Sequence, residues 1–377
     1  MRFPNFHNIR GTQHHVKSST PKKGGDKILL LLILVVSLIG IVLVYDSSVV
    51  IAIRDFSDRF YYAKEQIKWL ILGTIAFTTF SFIRYKTWYA VAVPLLIGTI
   101  GMLIAVFIPG LGVRALGAKR WINLGITVLQ PSEFAKLSLI IYLSAWFSSR
   151  EKERFGSFLL LIGMVVGLII IQPDLGTSLI IVSVAMLLYF FSGAAITHFF
   201  LLVPLLAVAV LLISVVSPYR FARLTSFLDP GKDPLGASYQ VKQATLALGS
   251  GGVFGLGLGK SRQKYEYLPE ANTDSIFAIL GEETGFIGTL TVSFLYLCIV
   301  YRGFRIASKV EDAFGRLLAL GISSWIGIQS MMNIAAIAAL IPLTGIPLPL
   351  ISYGGSNLVV MLSALGILWN ISKTVSV

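Results

Sequence analysis

Charged side chains are scarce in this sequence. Only 13% of its 377 residues are Asp, Glu, Lys or Arg, and 55% are hydrophobic. A soluble domain usually carries about 25% charged residues. The shortage therefore excludes an ordinary soluble protein, and the mean hydropathy of +0.81 favours a chain that lies in a membrane.

Cysteine and histidine are also rare, which excludes two further classes. A single cysteine, Cys298, cannot build a disulfide framework within the chain. Three histidines (His7, His14, His15) lie in the N-terminal tail and His198 lies in a short loop, so they make no convincing set of metal ligands. We therefore predict no metal site and no cofactor held by the protein itself.

Long apolar runs are abundant instead. A helix of roughly 20 residues crosses a hydrocarbon core of about 30 Å, and runs of that length recur along the chain. The first run is longer than the core of about 7–15 residues in a cleaved signal, so we expect it to remain as a span. The pattern predicts an all-α, polytopic membrane protein with ten transmembrane helices at residues 28–46, 67–83, 88–109, 131–148, 156–172, 175–192, 197–217, 274–301, 313–341 and 351–371.

The segments outside these helices suggest the organisation of the chain. Residues 1–27 are predicted to be a disordered cytoplasmic tail and 28–373 a single transmembrane domain, with a large extracytoplasmic loop at 218–273 between helices seven and eight. The total of basic residues does not decide the orientation, but short basic loops at 149–155 and 302–316 favour both termini inside. The net charge of +13 then favours membrane lipids or an anionic lipid substrate as partners over nucleic acid.

A glycine-rich stretch in the long loop, GSGGVFGLGLGKS at 249–261, ends like a phosphate-binding P-loop. A Walker A loop needs four residues between its first glycine and Gly-Lys-Ser. Here Gly255 leaves three, and Phe254 would occupy the first position. The residues that follow are polar and include a proline, so a flexible or tightly turning loop is favoured over a nucleotide site.

Three acidic residues lie at or within the eighth predicted helix. Asp274 lies where the long loop meets this helix, and it is either a helix N-cap or a catalytic or binding carboxylate; the two roles are compatible. Glu282 and Glu283 follow two turns further in, where ionisable groups are costly and usually face a partner or a cavity. For this pair, hydrogen bonding within the bundle is favoured over catalysis.

Basic residues are found near the predicted ends of other helices. Glu133 and Lys136 are three residues apart and share one helix face, which allows a local ion pair. A lysine near a helix N-terminus opposes the helix dipole, so a site that faces a cavity is favoured. Lys119 and Arg120 precede Trp121, where they can bind lipid phosphates. A carboxylate among cations is what glycosyl transfer from a lipid diphosphate requires, as base and as stabiliser of the leaving group.

Several motifs resemble those of the SEDS family (shape, elongation, division, sporulation), which includes FtsW, RodA and SpoVE. The resemblance covers nearly the whole chain after the tail, and GLGLGKSRQKYEYLPEA is most similar to the FtsW-like division and sporulation branch. Asn272, Ser275 and Asn357 depart from the usual family residues. The motifs are GAKRWI, QPSEFAKL, QPDLGTSL, FLDPGKDPLGASYQ, YLPEANTDSIFAI with EETGFIG, and GIPLPLISYGGSN.

The resemblance implies a peptidoglycan glycosyltransferase in the bacterial cytoplasmic membrane, with both termini cytoplasmic, acting in cell division or shape. It would polymerise lipid II by inverting β-1,4 transfer and release undecaprenyl diphosphate. Its partners would be a class B penicillin-binding protein and other divisome or elongasome proteins. A lipid II flippase is an alternative that would suit a bundle with cavity charges and a broken helix, and a scaffold that only recruits partners is another.

The same resemblance assigns the catalytic aspartate to Asp274, as the base that activates the acceptor hydroxyl. From charge and position, three cations are predicted to lie near the diphosphates: Arg120, Lys136 and Lys264. Glu133 is predicted to orient Lys136, and Gln240 and Lys242 are weaker candidates for binding the sugars. The chemistry leaves room for a divalent cation, Mg²⁺ or Mn²⁺, at the diphosphate.

Overall fold

A computed structural model describes residues 24–115, 118–123, 125, 127–149, 155–216, 218–229 and 237–375. This part of the chain is mostly helical. The helices are α1 (Lys27–Phe56), α2 (Tyr61–Phe82), α3 (Tyr85–Ala105), α4 (Pro131–Ser148), α5 (Phe155–Ile171), α6 (Leu175–Phe191), α7 (Ile196–Val216), α8 (Pro218–Leu228), α9 (Ala237–Gly251), α10 (Ile276–Lys309), α11 (Ala313–Ile337) and α12 (Gly355–Ser372). The strands are β1 (Gly112–Ala115), β2 (Ala118–Asn123) and β3 (Val128–Leu129).

Each of the ten predicted spans overlaps one of the helices α1–α7 and α10–α12. Among the described residues, α1, α3, α10, α11 and α12 are long and apolar enough to cross a membrane. Shorter apolar helices lie at Phe155–Ile171, Leu175–Phe191 and Ile196–Leu206. The chain is therefore a multi-pass membrane protein, and the total of ten spans stays a prediction.

The prediction of an all-α fold missed a small sheet between α3 and α4. Its three strands are antiparallel in the order β1-β2-β3. The strands are two to six residues long, so they carry no extended alternation of apolar and polar residues. Pairing between short strands decides this structure, and a sequence pattern does not reveal it.

The long helix α10 is interrupted in its third turn. Gly285 has φ 67° and ψ −162°, which interrupts the helical hydrogen bonds around it. Irregular backbone inside a membrane protein needs other partners for its N–H and C=O groups. The glycine-rich loop supplies them through four bonds: Leu256 N to Glu282 O (3.0 Å), Gly257 N to Glu283 O (3.0 Å), Phe286 N to Gly252 O (2.9 Å) and Ile287 N to Val253 O (3.2 Å).

This contact explains the glycines better than a phosphate site does. Gly255 has φ +81°, and a Cβ there would overlap the carbonyl oxygen of Glu283. Glycine alone combines that backbone conformation with so close an approach. The loop is thus packed backbone to backbone against the break in α10.

Replacing Gly255 with alanine is expected to lower the melting temperature of the purified protein. The left-handed conformation alone costs about 1–2 kcal/mol for a residue with a Cβ, and the overlap with Glu283 adds to it. Gly249→Ala is the matched control, because a Cβ at this position meets nothing within 4 Å. Gly249 lies in α9, and alanine favours a helix more than glycine does. Equal melting temperatures for the two variants would contradict this account of the loop.

Candidate functional site

Asp274 lies in the connecting segment immediately before α10, with its side chain 8% exposed. Ser275, not Asp274, occupies the N-cap position, and it makes no side-chain cap bond. The structure therefore does not show Asp274 as a helix cap. Its carboxylate accepts a long hydrogen bond from Gln240 Nε2 of α9 (3.4 Å), and the same amide donates to the Ser275 hydroxyl (3.0 Å).

The backbone around Asp274 is held from two sides. The Asp274 carbonyl accepts from Asn333 Nδ2 of α11 (2.8 Å). In the connection between α11 and α12, Tyr353 N donates to Asn272 O (2.9 Å) and the Ser352 hydroxyl donates to Thr273 O. The connection between α11 and α12 thus supports the segment that carries the carboxylate.

Arg223 of α8 also reaches this site, although the prediction of site residues did not include it. Its Nη1 donates to the Leu343 carbonyl (2.9 Å). A Cβ built on Gly345 would lie 3.5 Å from Arg223 Nη1 and 3.8 Å from Asp274 Oδ2, so the guanidinium and the carboxylate flank the same glycine. Only the folded chain brings this arginine of the long loop to Asp274.

Burial, together with the negative charge of Glu270, raises the pKa of the Asp274 carboxyl to about 7. Arg223 and the Gln240 hydrogen bond oppose that increase because they favour the charged form. A carboxyl with a pKa near 7 can both take up and release a proton at neutral pH. This is the property that a general base needs.

Glu133 and Lys136 form a buried ion pair in α4. Lys136 Nζ lies 2.8 Å from the Glu133 carboxylate and 3.0 Å from Gln329 Oε1 of α11, and it lies 5.0 Å from the ring centroid of Trp325. The cavity beside Lys136 is only about 10 Å³ in volume and is lined otherwise by apolar side chains and Trp325. The local ion pair that the spacing allowed is therefore present, and the adjoining space is at most water-sized.

Lys264 is engaged by two carboxylates. Its Nζ lies 2.8 Å from Asp46 Oδ1 of α1 and 3.0 Å from Glu283 Oε1 of α10, and the residue is 3% exposed. Glu282 accepts from the backbone N–H groups of Arg262 (3.0 Å) and Gln263 (3.3 Å). As the sequence predicted, the glutamate pair makes hydrogen bonds within the fold.

The remaining candidates, Arg120 and Lys242, have different surroundings. Arg120 is half-buried, and its guanidinium donates to the carbonyls of Gln172 (3.1 Å) and Pro173 in the turn between α5 and α6. Lys242 is exposed on α9. The structure thus brings Gln240 to Asp274, whereas it places Arg120, Lys136 and Lys264 against other protein groups.

Comparison with known proteins places these features in a family. The model for the FtsW/RodA/SpoVE family, described as "Cell cycle protein", matches residues 26–377. The chain is 42% identical over 364 residues to Stage V sporulation protein E of Bacillus subtilis (strain 168), covering 94% of this chain and 99% of that protein. It is 38% identical over 356 residues to the Probable peptidoglycan glycosyltransferase FtsW of Geobacter sp. (strain M18), covering 93% and 97%.

Solved structures share the fold over nearly the same length. A chain from a study of structural coordination of polymerization and crosslinking by a peptidoglycan synthase complex matches with a TM-score of 0.75 and 28% identity, over 93% of this chain and 98% of that one. The rod shape determining protein RodA of Thermus thermophilus matches with a TM-score of 0.70 and 27% identity, over 93% and 97%. By sequence along almost its entire length and by fold, this chain belongs to the FtsW/RodA/SpoVE family of cell cycle proteins.

Proposed function

We propose that this protein is a peptidoglycan glycosyltransferase that polymerises lipid II into glycan strands. Its relatives named as probable peptidoglycan glycosyltransferases support this assignment. The observation that carries it is the Asp274 carboxyl, which is buried, has a pKa of about 7 and is flanked by Gln240 and Arg223. A base poised in this way is suited to remove a proton from a sugar hydroxyl at neutral pH.

In the proposed reaction, the Asp274 carboxylate takes the proton of the acceptor GlcNAc 4-hydroxyl. The hydroxyl oxygen forms a bond to C1 of the donor MurNAc while the C1–O bond to the diphosphate breaks on the opposite face. The anomeric centre inverts, a β-1,4 bond results, and undecaprenyl diphosphate leaves with the electron pair. Arg223 keeps the buried carboxyl able to ionise, and Gln240 orients it through the hydrogen bond that it donates.

The leaving diphosphate needs positive charge that this conformation does not supply from the predicted cations. Lys136 and Lys264 are paired with carboxylates and Arg120 with carbonyls, so binding a diphosphate would require them to exchange these partners. Among the described residues no group of three or more His, Cys, Asp and Glu could hold a metal ion. A Mg²⁺ or Mn²⁺ ion that binds together with the substrate would supply positive charge to the leaving diphosphate.

Access to Asp274 requires the long loop to move. Only 8% of the residue is exposed, and it lies under Gln240 of α9 and Arg223 of α8. We assign the opening of this loop to a class B penicillin-binding protein, working with other divisome or elongasome proteins. The likeness of this chain to a chain from a study of a peptidoglycan synthase complex supports a partner of this kind.

The proposed location is the bacterial cytoplasmic membrane, with both termini in the cytoplasm and the long loop outside. Two contacts near opposite ends of α1 support the part of this proposal that has the termini and the long loop on opposite sides of the membrane. At one end, Asp26 N donates to the Ser372 hydroxyl (2.9 Å), which brings the first and last helices together near both ends of the described chain. At the other, Arg54 pairs with Glu266 of the long loop (2.7 Å).

The direct test uses purified protein, labelled lipid II and a divalent cation, with and without a class B partner, and detects glycan strands on a gel. Strands in either reaction would support the polymerase. Absence of strands in both, together with transfer of lipid II across sealed vesicles, would instead establish the flippase alternative.

The rate of strand synthesis is expected to rise with pH and to reach half its maximum near pH 7, because the base acts only when Asp274 has lost its proton. Removing the charge of Glu270 with Glu270→Gln should move the midpoint to lower pH, since Glu270 raises the pKa of Asp274. Glu266→Gln is the control: Glu266 is another loop carboxylate, and it is paired with Arg54. A midpoint that Glu270→Gln leaves in place would argue against Asp274 as the titrating group.

A further inference from the structure

Two cations lie directly opposite each other on the small sheet. In the register of β1 and β2, Arg114 pairs with Lys119, and the next pair toward the turn is Ala115 with Ala118. Residues directly opposite in an antiparallel pair project from the same face, and like charges in that position destabilise the pair. Both side chains are exposed, and neither forms a hydrogen bond or an ion pair with any residue that the structure describes.

Arg120, the next residue of β2 after Lys119, does have partners within the protein. The register shifts between Val113 and Arg114, so Arg120 is an extra residue on β2. Such a bulge redirects its side chain, and the Arg120 guanidinium reaches the carbonyls of Gln172 and Pro173. Arg120 is thereby satisfied within the protein, whereas Arg114 and Lys119 keep two positive charges that nothing in the described chain offsets.

The surroundings of this pair are apolar and lie beside a membrane-crossing helix. β1 follows closely on α3, which is long and apolar enough to span a membrane. Ile108, Leu111 and Val128 expose 47%, 43% and 43% of their surface next to the strands. Two cations without a partner among the described residues, next to exposed aliphatic side chains, match a molecule with an anionic head and hydrocarbon tails.

We propose that Arg114 and Lys119 bind the phosphate of an anionic phospholipid in the leaflet that surrounds the sheet. A phosphate between the two side chains would convert their repulsion into two charge-assisted hydrogen bonds, one from a guanidinium and one from an ammonium group. The exposed aliphatic residues would lie against the acyl chains. The lipid would then hold the sheet, and through Arg120 the turn between α5 and α6, at the membrane surface. This site is separate from the carboxylate Asp274 and does not depend on the proposed catalysis.

The test measures phosphatidylglycerol bound to the purified full chain by native mass spectrometry during a titration. The variant R114Q/K119Q removes both charges, and K260Q/R262Q removes two exposed charges from the long loop as a matched control. We expect R114Q/K119Q to weaken the tightest lipid site about tenfold or more, and K260Q/R262Q to leave it unchanged. The melting temperature without added lipid should not fall in R114Q/K119Q, because the variant removes a repulsion.

Each other outcome would overturn the proposal. Equal lipid binding by the native chain and R114Q/K119Q would show that the pair holds no phospholipid. Equal weakening in both double variants would reduce the effect to general attraction between a basic surface and anionic lipid. Binding of phosphatidylcholine as tight as that of phosphatidylglycerol would remove the role of charge. Tighter binding of inorganic phosphate, or of a prenyl diphosphate, at the same two residues would assign the site to a different ligand.

Discussion

Replacing Asp274 with asparagine is expected to abolish glycan-strand synthesis while the protein still folds. The two side chains have nearly the same shape, so the contacts with Gln240 and Asn333 can be kept, but an amide cannot take up the acceptor proton. Loss of a positioned general base typically lowers a rate by about 10²–10⁴-fold. Strands should therefore disappear from the gel in the reaction with labelled lipid II, with or without a class B partner.

The control for this prediction is Glu266→Gln, which removes a carboxylate of the same loop that is 41% exposed and paired with Arg54. Glu266→Gln should retain native rates, and the melting temperatures of the two variants should be close to that of the native chain. Because Asp274 is buried and its pKa is raised, removing its charge should not cost stability at neutral pH. Strands made by Asp274→Asn at the native rate would eliminate Asp274 as the base.

Removing one member of the Glu133–Lys136 pair is expected to cause the largest loss of stability. Glu133 is only 2% exposed, and Lys136→Met leaves its buried carboxylate without a counter-charge. Glu133→Gln likewise leaves the buried Lys136 ammonium without a counter-charge. Breaking a buried pair in this way typically costs about 3–5 kcal/mol. The melting temperature in detergent should fall steeply for each single variant.

The double variant Glu133→Gln with Lys136→Met separates a structural role from a role in substrate binding. Without a buried charge, it should recover much of the lost stability. If the pair only supports the fold, strand synthesis recovers too; if Lys136 binds a diphosphate, stability returns while synthesis does not. Lys68→Met is the matched control. Lys68 also pairs with a glutamate three residues before it, Glu65, and its Nζ lies 2.5 Å from Glu65 Oε1 on an exposed surface. Loss of a pair in that position should change the melting temperature little.

The sequence was informative wherever the determining interactions are local. Apolar runs predicted the helices, since a membrane-crossing helix satisfies its own backbone. The spacing of Glu133 and Lys136 predicted their ion pair, since residues three apart share a helix face. The glycines of residues 252–259 predicted a flexible or tightly turning loop, and all four of them have positive φ angles.

Long-range contacts are what sequence patterns could not supply. Lys264 was predicted near a diphosphate, but its ammonium meets Asp46, 218 residues away, and Glu283. Lys136 also meets Gln329, 193 residues away. Whether a cation is free or already paired depends on which helices become neighbours, and a single sequence with its charges does not contain that information.

The amino-acid sequence alone indicates a helical membrane protein of a recognisable family, with Asp274 where a long loop enters a helix. Hydrophobicity and short motifs suffice for this, because each is read along a continuous stretch of chain. The folded chain was needed to show that Asp274 is buried beside Gln240 and Arg223 and that the glycine-rich loop completes the broken helix α10. It was also needed to show that Arg114 and Lys119 lie opposite each other with no counter-charge from the described residues. The physical reason is that burial, pKa and free charge are properties of the groups that surround a residue, and packing alone brings those groups together.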